Sequence, residues 1–295
     1  MLTAQVSLIL AGASKRISFG YHLNYFSFLY LSYFVFLFFC AATPGFADEA
    51  VPACSLEQAD VGHVTSIVDG DTLVLEDGRE VRLVGLQAPK LGLGRRNFED
   101  WPLAEEAKTR LGLMVLGRDI TLSFGGRRQD RYGRLLAHLT GEDGSWIQAR
   151  MIAAGLARVY SFPDNRACVP ALLAYERDAR LDQRGMWAMD EYAPKLARNT
   201  EGLLQLENTF QLVEGRVKTV AIVGGRVFLN FGDDWKTDFT ITIAPRDLRR
   251  FTDGLEVYEN AAVRVRGWMK SYNGPEIVAT HPEQIELLVP PMPPS

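Results

Sequence analysis

The sequence has few of the residues that build transition-metal centres. Its 295 residues include three cysteines and four histidines. No two cysteines stand in a Cys-x-x-Cys spacing, and the histidines are scattered along the chain. Structural and catalytic zinc sites need clusters of such ligands at short spacing. The sequence therefore excludes a zinc site of the usual kind.

The chain also lacks an overall positive charge, since its formal net charge at pH 7 is −4. Residues 1–47 carry two basic residues and no acid, so the rest of the chain has 30 basic against 36 acidic residues. This balance excludes general electrostatic attraction to nucleic acid. A site for a polyanion has to depend on a local basic patch.

One long apolar run occurs, from Tyr25 to Ala42, and it follows Lys15 and Arg16. Residues 42–47 read ATPGFA, a small-x-Ala pattern typical of a signal-peptidase site. We expect residues 1–47 to be either a cleaved signal peptide or a membrane anchor, because the run approaches the ~20 residues that span a bilayer. In both cases the rest of the chain is exported, to the periplasm or the medium. It meets a membrane only through this segment.

Cysteine usage agrees with export. Cys40 lies inside the N-terminal segment, which leaves Cys54 and Cys168 as a possible pair in an oxidising compartment. We predict a disulfide bond between Cys54 and Cys168, which ties the start of the mature chain to the segment before the last helix of the first domain. The alternative is two unrelated buried thiols.

Short β-patterned runs separated by glycine turns fill two stretches of the chain. Residues 55–190 combine five such runs with helical patterns, which is typical of a small oligonucleotide/oligosaccharide-binding (OB) barrel with inserted and C-terminal helices. Residues 191–207 are polar and predict a linker. Residues 208–290 are all-β apart from a short helix predicted at 249–258, and they indicate a second OB-type barrel. The predicted fold class is mainly β with α (α+β).

The alternation Val263-Arg264-Val265-Arg266 in the second stretch has a period of two. Such a period is typical of a strand with one buried and one solvated face. It predicts that both arginines face water.

Three motifs occur in order in the first stretch: DGDT at 69–72, RLVGLQAP at 82–89 and DRYGR at 130–134. With the helix start PLAEEA at 102–107, they resemble the thermonuclease (staphylococcal-nuclease-like) family over about residues 60–187. The resemblance implies the barrel of that family for residues 55–190. It also implies a calcium-dependent hydrolase of phosphodiester bonds in DNA and RNA.

The resemblance assigns roles by position. Asp71 is the expected calcium ligand, and Asp69 lies in the outer shell of the ion. Arg82 and Arg134 form the expected catalytic pair, since two guanidiniums match the oxygens of a phosphate as negative charge builds up. In the family the metal polarises the phosphoryl oxygen while a second carboxylate assists the attacking water.

The sequence departs from the family pattern at residues 87–90, the corner that follows the third β-patterned run. The family has Asp-(Thr or Ala)-Pro-Glu there, whereas this chain has Gln87-Ala88-Pro89-Lys90. Gln87 is expected to be a weak metal ligand through a neutral oxygen. A protonated Lys90 has no acceptor and cannot act as the general base. Calcium binding is therefore possible but weakened, and Lys90 is predicted to bind substrate phosphate instead.

Several nearby residues leave alternatives open. Four acids follow the altered corner and could replace the lost carboxylates: Glu99, Asp100, Glu105 and Glu106. Arg131 and Tyr132 are candidates for substrate binding, although Tyr132 is equally compatible with packing in the turn. Four further arginines either widen a cationic groove or form solvated surface: Arg95, Arg96, Arg127 and Arg128.

In the second barrel five rings could stack on bases: Phe228, Phe231, Trp235, Tyr272 and His281.

Three functions remain at this point. The first is an exported, metal-dependent phosphodiester hydrolase that acts on single-stranded DNA or RNA. The second is a catalytically inactive protein of the cell envelope that binds nucleic acid or another polyanion. The third is a scaffold in which the barrels serve protein interaction.

Overall fold

The computed structural model describes residues 54–289. These residues all belong to one compact unit of the chain. The predicted signal peptide or anchor at 1–47 lies outside the described residues. Among the helices of residues 54–289, none combines the length and the apolar character needed to cross a bilayer.

Five strands close the first barrel. The strands of the first half of the chain are Glu57–Asp69 (β1), Thr72–Leu75 (β2), Glu80–Leu83 (β3), Gly85–Gln87 (β4), Asp119–Phe124 (β5), Leu135–Gly141 (β6) and Arg158–Tyr160 (β7). The ring runs β1-β2-β3-β6-β5 and returns to β1. Its pairs are antiparallel except β3 with β6. The predicted barrel is confirmed, and the long strand β1 pairs with both β2 and β5.

Four helices accompany the strands: Ala104–Val115 (α1), Ile147–Ala153 (α2), Val169–Leu181 (α3) and Thr200–Leu204 (α4). Helix α1 buries Ala107, Leu111 and Met114 at the i, i+4, i+7 spacing of one helix face. These side chains join the barrel residues in a single core. The helix therefore packs against the barrel through the stripe that its sequence pattern predicts.

A bend in the chain separates β3 from β4. Gly85 adopts a φ of +89°, and a Cβ atom there would lie 2.7 Å from Cδ1 of Leu172 on α3. Glycine permits this bend because positive φ costs it little. As a result β3 stays in the barrel, whereas β4 leaves it and pairs with β7. The bend directs Gln87 towards Arg158, its partner in the β4–β7 ladder.

The predicted disulfide bond is confirmed. Cys54 and Cys168 are bonded, with their Cα atoms 5.4 Å apart. Cys168 directly precedes α3, and its buried side chain joins the core of the first barrel. The bond therefore fixes the first described residue to the start of the closing helix.

The second barrel uses the remaining strands: Lys195–Leu196 (β8), Phe210–Arg216 (β9), Thr219–Val223 (β10), Arg226–Asn230 (β11), Thr240–Ile243 (β12), Ala262–Ser271 (β13), Pro275–Ala279 (β14) and Ile285–Val289 (β15). They form one sheet in the order β10-β11-β12-β14-β13-β9-β8, with β15 on β13. Only Val217 and Lys218 separate β9 from β10 in the chain, so the sheet returns on itself through that short link. Counting β9 and β10 as one broken strand gives the strand order of the first barrel. The parallel pair of the first barrel also has its counterpart, β12 with β14, and the additional strand β8 pairs parallel with β9.

Two expectations for this half differ from the structure. Residues 191–207, expected to be a linker, supply β8 and α4, and Ala197 and Leu203 are buried in the second core. The short helix expected at 249–258 is two separate 3₁₀ turns, Leu248–Arg250 and Glu256–Tyr258. In the first case the segment is held by its buried apolar side chains and by the pairing of β8 with β9.

The two barrels share a buried interface. An apolar cluster joins Met186, Trp187 and Tyr192 after the closing helix to Phe210 and Leu212 of β9. Trp187 therefore packs between the barrels. The second barrel is part of the same folded body as the first.

A buried ionic network crosses this interface. Arg266 of β13 donates to the two carboxylate oxygens of Glu176 on α3, at 2.8 and 3.2 Å, and to the Val159 carbonyl at 3.1 Å. Glu176 also accepts the Val159 N–H at 2.6 Å and pairs with Arg180. Burial alone would raise the pKa of Glu176, but Arg266 and Arg180 outweigh it and lower that pKa. Arg266 is fully buried, although its alternating sequence predicted a solvated face.

Candidate nucleic-acid site

The DGDT turn places Asp71 in the interior, where its side chain is fully buried. One carboxylate oxygen of Asp71 accepts the Ala88 N–H at 2.9 Å, and the other accepts the Thr72 hydroxyl at 3.1 Å. The N–H of Asp71 itself donates to Asp69 at 3.0 Å. The turn and the corner after β4 are therefore held together by the Asp71 side chain.

Gly70 allows this close approach. A Cβ atom at Gly70 would lie 2.6 Å from the Cβ of Ala107 on α1 and 2.7 Å from that of Ala88. Such distances are shorter than van der Waals contact between carbon atoms. The glycine in DGDT is thus required by packing between the turn, the helix and the corner.

The ammonium group of Lys90 lies between the two acids. Its Nζ is 2.6 and 2.7 Å from the two carboxylate oxygens of Asp71 and 3.1 Å from Oδ2 of Asp69. Arg82 pairs with Asp71 from another side, and it donates to the carbonyls of Asp71 and Leu86 at 3.3 and 3.0 Å. Two cations therefore neutralise two buried acids.

The pKa values of the two acids move in opposite directions. Burial, together with the neighbouring charge of Asp71, raises the pKa of Asp69. Burial acts in the same direction on Asp71, but Arg82 and Lys90 outweigh it and hold the pKa of Asp71 well below its usual range. Asp71 is therefore ionised, and both of its oxygens are already engaged.

The side chain of Gln87 is hydrogen-bonded to Arg158. Its side-chain oxygen accepts two hydrogen bonds from Arg158, at 3.0 Å from Nε and 2.7 Å from Nη2. Calcium takes six to eight oxygen ligands. Because Lys90 holds the oxygens of Asp71 and Arg158 holds that of Gln87, the donor set in this arrangement does not fit a calcium ion. The ligand roles of Asp69, Asp71 and Gln87 stay predictions.

The acids that could replace the lost carboxylates are not gathered at this corner. Within residues 54–289, no three His, Cys, Asp or Glu side chains are grouped so that they could hold a metal. Glu99, Glu105 and Glu106 are exposed. Asp100 accepts the backbone N–H of Gly92, which closes its own loop.

Arg82 and Arg134 line one open cavity of about 420 Å³. Its walls also include Arg127, Arg131 and Tyr132 from the loop between β5 and β6, and Tyr160 and Phe162 from the end of β7. We call this cavity the arginine cleft. The structure thus brings together the predicted phosphate pair and both predicted substrate-binding residues of the DRYGR motif.

The DRYGR loop positions its side chains through Asp130. This carboxylate accepts Nε of Arg134 at 2.8 Å and the backbone N–H groups of Tyr132 and Arg134 at 2.8 and 3.0 Å. These bonds lower the pKa of Asp130 against the effect of its burial. Gly133 makes the turn with a φ of +85°. The guanidinium of Arg134 is thereby oriented within the cleft.

Tyr132 is exposed, with 68% of its surface accessible. The guanidinium carbons of Arg131 and Arg134 lie 4.7 and 5.6 Å from its ring centre, and Arg131 donates to its hydroxyl at 2.6 Å. The ring is therefore flanked by cations and open to solvent. This arrangement favours the pocket role of Tyr132 over packing in the turn.

The four arginines left open by the sequence differ in position. Arg127 lines the arginine cleft, whereas Arg128 pairs with Glu57 at 2.8 Å. Arg95 donates to the carbonyls of Leu91 and Gly92 within its own loop. Arg96 is exposed. Only Arg127 of the four belongs to the cleft as the structure describes it.

Tyr160, Phe162 and Arg158 belong to this region of the structure but were not predicted from the sequence as site residues. The two rings stand two residues apart at the end of a short strand, and this spacing was a usable signal that both reach one face. For Arg158 no local signal exists, because its partners lie 71 and 52 residues away in the chain.

Comparison with known proteins agrees with this geometry. The family described as staphylococcal nuclease homologue matches residues 80–189. An uncharacterized endonuclease of Escherichia coli O157:H7 is 30% identical over 136 residues, which cover 45% of this chain and 80% of that protein. The chain belongs to the staphylococcal nuclease family. Endonuclease YncB of Bacillus subtilis (strain 168) is 32% identical over 130 residues, which cover 42% of this chain and 60% of that protein.

The family membership predicted from the three motifs is therefore confirmed. The matched family region contains Arg82, Lys90 and the DRYGR loop, and it ends before the second barrel. The protein thus combines a staphylococcal nuclease barrel with a second module. Its corner at Gln87 and Lys90 differs from the acidic corner that the family pattern implies.

Proposed function

We propose that this nuclease-family protein binds single-stranded nucleic acid by its phosphodiester backbone in the arginine cleft, without calcium-dependent hydrolysis. One observation carries the proposal. The Nζ atom of Lys90 lies 2.6 and 2.7 Å from the oxygens of Asp71 and 3.1 Å from Asp69, where the family would use a metal cation. The lysine supplies the positive charge that the metal would bring.

Phosphate recognition does not require the lost acids. Arg82 and Arg134 both line the same cleft, and guanidinium groups bind phosphate oxygens in pairs. Hydrolysis, in contrast, needs a group that accepts a proton from water. A protonated lysine in the position of the family's glutamate cannot do this. Binding is therefore retained while the chemical step loses its base and its metal.

The cleft favours single strands. Tyr132 and Phe162 expose ring faces beside the arginines. Unpaired bases stack on such rings irrespective of sequence, whereas bases in a duplex are already stacked on each other. We therefore assign single-stranded DNA or RNA as the ligand class.

We also propose that the protein is exported, as its N-terminal segment predicts. The disulfide bond between Cys54 and Cys168 supports this location, since such bonds persist in oxidising compartments. The ligand in that case is nucleic acid in the envelope or outside the cell.

The test uses the full-length chain with labelled single-stranded 12-mers of DNA and RNA, in calcium or in EDTA. We expect fluorescence anisotropy to show equal binding in both buffers and weaker binding at higher salt. Gels should show intact oligonucleotide in both. Arg134→Ala is expected to weaken binding about tenfold, the cost of one charged hydrogen-bonding group. Arg177→Ala, which removes an arginine exposed on α3, is the matched control.

Three results contradict the proposal in different ways. Cleavage that depends on calcium restores the hydrolase hypothesis. Absence of binding in both buffers leaves the scaffold hypothesis. Equal affinities of the Arg134→Ala and Arg177→Ala variants would place the nucleic acid outside the arginine cleft.

A further inference from the structure

The second barrel carries a separate cavity of about 500 Å³ on its outer surface. Three aromatic side chains line it: Phe228 from β11, Trp235 from the following loop, and Tyr272 from the turn after β13. We call it the aromatic cavity. Neither the family match nor the proposed function accounts for it, because both concern the first barrel.

The floor of the aromatic cavity is polar. Glu276 of β14 lies there almost fully buried, and one of its carboxylate oxygens accepts the hydroxyl of Thr242 on β12. Asn230 adds an amide group to the lining. The rings at the rim remain open, since Trp235 is 58% and Tyr272 72% exposed. The cavity therefore offers ring faces at its mouth and hydrogen-bonding groups at its base.

A strip of β13 connects the two cavities. Trp268 and Lys270 are two residues apart on β13, so their side chains share one face of the strand. Tyr272 follows in the turn directly after β13, and all three side chains are exposed. Trp268 donates from its indole N–H to the hydroxyl of Tyr160 at 3.0 Å, and Tyr160 lines the arginine cleft. Tyr272 lines the aromatic cavity. At the usual rise of a strand, Trp268 lies about 10 Å from Ser271, the last residue of β13 before Tyr272.

We propose that a single strand bound in the arginine cleft continues over Trp268 and Lys270 and places one unpaired base in the aromatic cavity. This inference rests on the proposed function, since the strand has to be held first by Arg82 and Arg134. It assigns the second barrel a role in binding longer strands. Lys270 meets the backbone between the two cavities.

The chemistry of the aromatic cavity selects a base over a phosphate. The carboxylate of Glu276 repels phosphate, whereas it accepts hydrogen bonds from N–H groups at the edge of a base. The rings of Trp235 and Tyr272 supply the faces on which such a base stacks. Ring faces at the mouth of the cavity and a hydrogen-bond acceptor on its floor are the two contacts that a flipped-out nucleobase requires.

The experiment compares a 4-mer with a 14-mer of single-stranded oligo(dC) on the full-length chain. The 4-mer tests the arginine cleft alone, and the 14-mer is long enough to reach both cavities. Loss of one stacked base costs about 1–3 kcal/mol, or roughly 5- to 150-fold in Kd. We therefore expect Trp235→Ala and Tyr272→Ala to weaken the 14-mer at least fivefold and the 4-mer less than twofold. Trp235→Phe, which keeps a ring, should restore most of the affinity.

Controls separate this inference from the proposed function. Arg134→Ala should weaken both oligonucleotides, and Ile222→Ala, which trims an exposed apolar side chain of the same barrel, should weaken neither. Thermal melts show whether each variant is folded. If Trp235→Ala and Tyr272→Ala bind the 14-mer like the unchanged protein, the inference fails and the proposed function stands. If they weaken both lengths equally, or if the unchanged protein binds neither oligonucleotide, the continuous path is also excluded.

Discussion

The guanidinium of Arg158 donates two hydrogen bonds to the side-chain oxygen of Gln87, at 3.0 and 2.7 Å, and a third to the carbonyl of Phe210 at 3.0 Å. Gln87 stands where the family has an acid, and Phe210 begins the first long strand of the second barrel. Burial lowers the pKa of Arg158 to about 10, so it stays protonated at neutral pH. One buried cation thus ties the altered corner of the site to the second barrel.

The hydrogen bonds between Arg158 and Gln87 determine which substitutions could restore calcium binding. We expect Lys90→Glu combined with Gln87→Asp to bind calcium measurably by titration calorimetry and to cleave single-stranded DNA. The pair removes the ammonium from between Asp69 and Asp71 and adds two oxygen-donor carboxylates. Gln87→Asp alone should not bind calcium, because Lys90 still occupies the acids and Arg158 pairs with the new carboxylate.

The matched control for that pair is Lys90→Gln with Gln87→Asn, which alters the same positions without adding acid. Calcium affinity that is the same in the acidic pair and in this control contradicts the positional assignment of both residues. Cleavage by the single Gln87→Asp variant contradicts the role given to Lys90.

Lys90 is expected to stabilise the fold as well as to fill the site. Lys90→Met removes the two short hydrogen bonds to the fully buried Asp71, while Arg82 remains paired with it. We expect a loss of about 2 kcal/mol in the free energy of unfolding, measured by urea denaturation. Lys236→Met, at an exposed lysine, should change it by less than about 0.5 kcal/mol. Equal stability of the two variants argues against a tight Lys90–Asp71 pair.

The interface network predicts a larger effect. Glu176→Gln keeps the size of the side chain but removes one of the two carboxylates that pair with the buried Arg266, which keeps Glu286 of β15. Leaving a buried charge without a partner costs about 3–5 kcal/mol, and because Glu286 remains, the cost here falls at the lower end of that range, about 3 kcal/mol. We expect a loss of that order in urea, with the two barrels unfolding in a single transition. Asp178→Asn, an exposed position on the same helix, is the control, and two separate transitions in the unchanged protein would count against a shared interface.

Two buried histidines predict a loss of stability in mild acid. Burial lowers the pKa of His138 and of His281 to about 4, against an ordinary value of about 6.5. The unfolded chain therefore binds more protons between these values, so stability is complete above pH 6.5 and falls as the pH falls towards 4. From pH 7 to pH 5 we expect to lose about 2 kcal/mol for each histidine. His281→Gln should remove about half of this pH dependence in urea titrations, and an unchanged slope would assign it to other groups.

Thiol titration under denaturing conditions tests both the disulfide and the N-terminal segment. With Cys54 and Cys168 bonded, only Cys40 can react, so we expect one thiol in a chain that keeps residues 1–47 and none after cleavage. Chain-entropy reasoning gives a bond closing such a long loop about 4–5 kcal/mol of stabilisation. The Cys54→Ser with Cys168→Ser variant should be destabilised by up to that amount. Two or three reactive thiols in the unreduced protein contradict the prediction.

Much of the first barrel was predictable because its signals are local. Helix α1 shows its buried face as a spacing of apolar residues, and the DGDT turn carries its glycine where packing needs it. The sequence also showed that Lys90 changes the charge of the corner. It did not show that the ammonium points at Asp71 rather than at substrate, because that direction depends on how the bend at Gly85 turns the chain.

The interface was not predictable, for a physical reason. Arg266 stands in a clean alternation that is typical of a solvated face, yet its partner Glu176 lies 90 residues earlier in the chain. Alternation reports which side of a strand a residue occupies, and it carries no information about what covers that side. The polar stretch at 191–207 misled in the same way, because its buried apolar residues, Tyr192, Ala197 and Leu203, are few and spread among polar ones.

The Arg266–Glu176 pair also constrains how the two barrels can evolve. The nuclease-family region ends at residue 189, and it contains Glu176, which completes its hydrogen bonds with the second barrel. Recombination that exchanged one barrel for a foreign one would remove one partner of this network and leave Glu176 with Arg180, or Arg266 with Glu286. Substitutions at either residue should therefore be tolerated better when the other changes too. The two modules of this protein are expected to descend, duplicate and disappear as a unit.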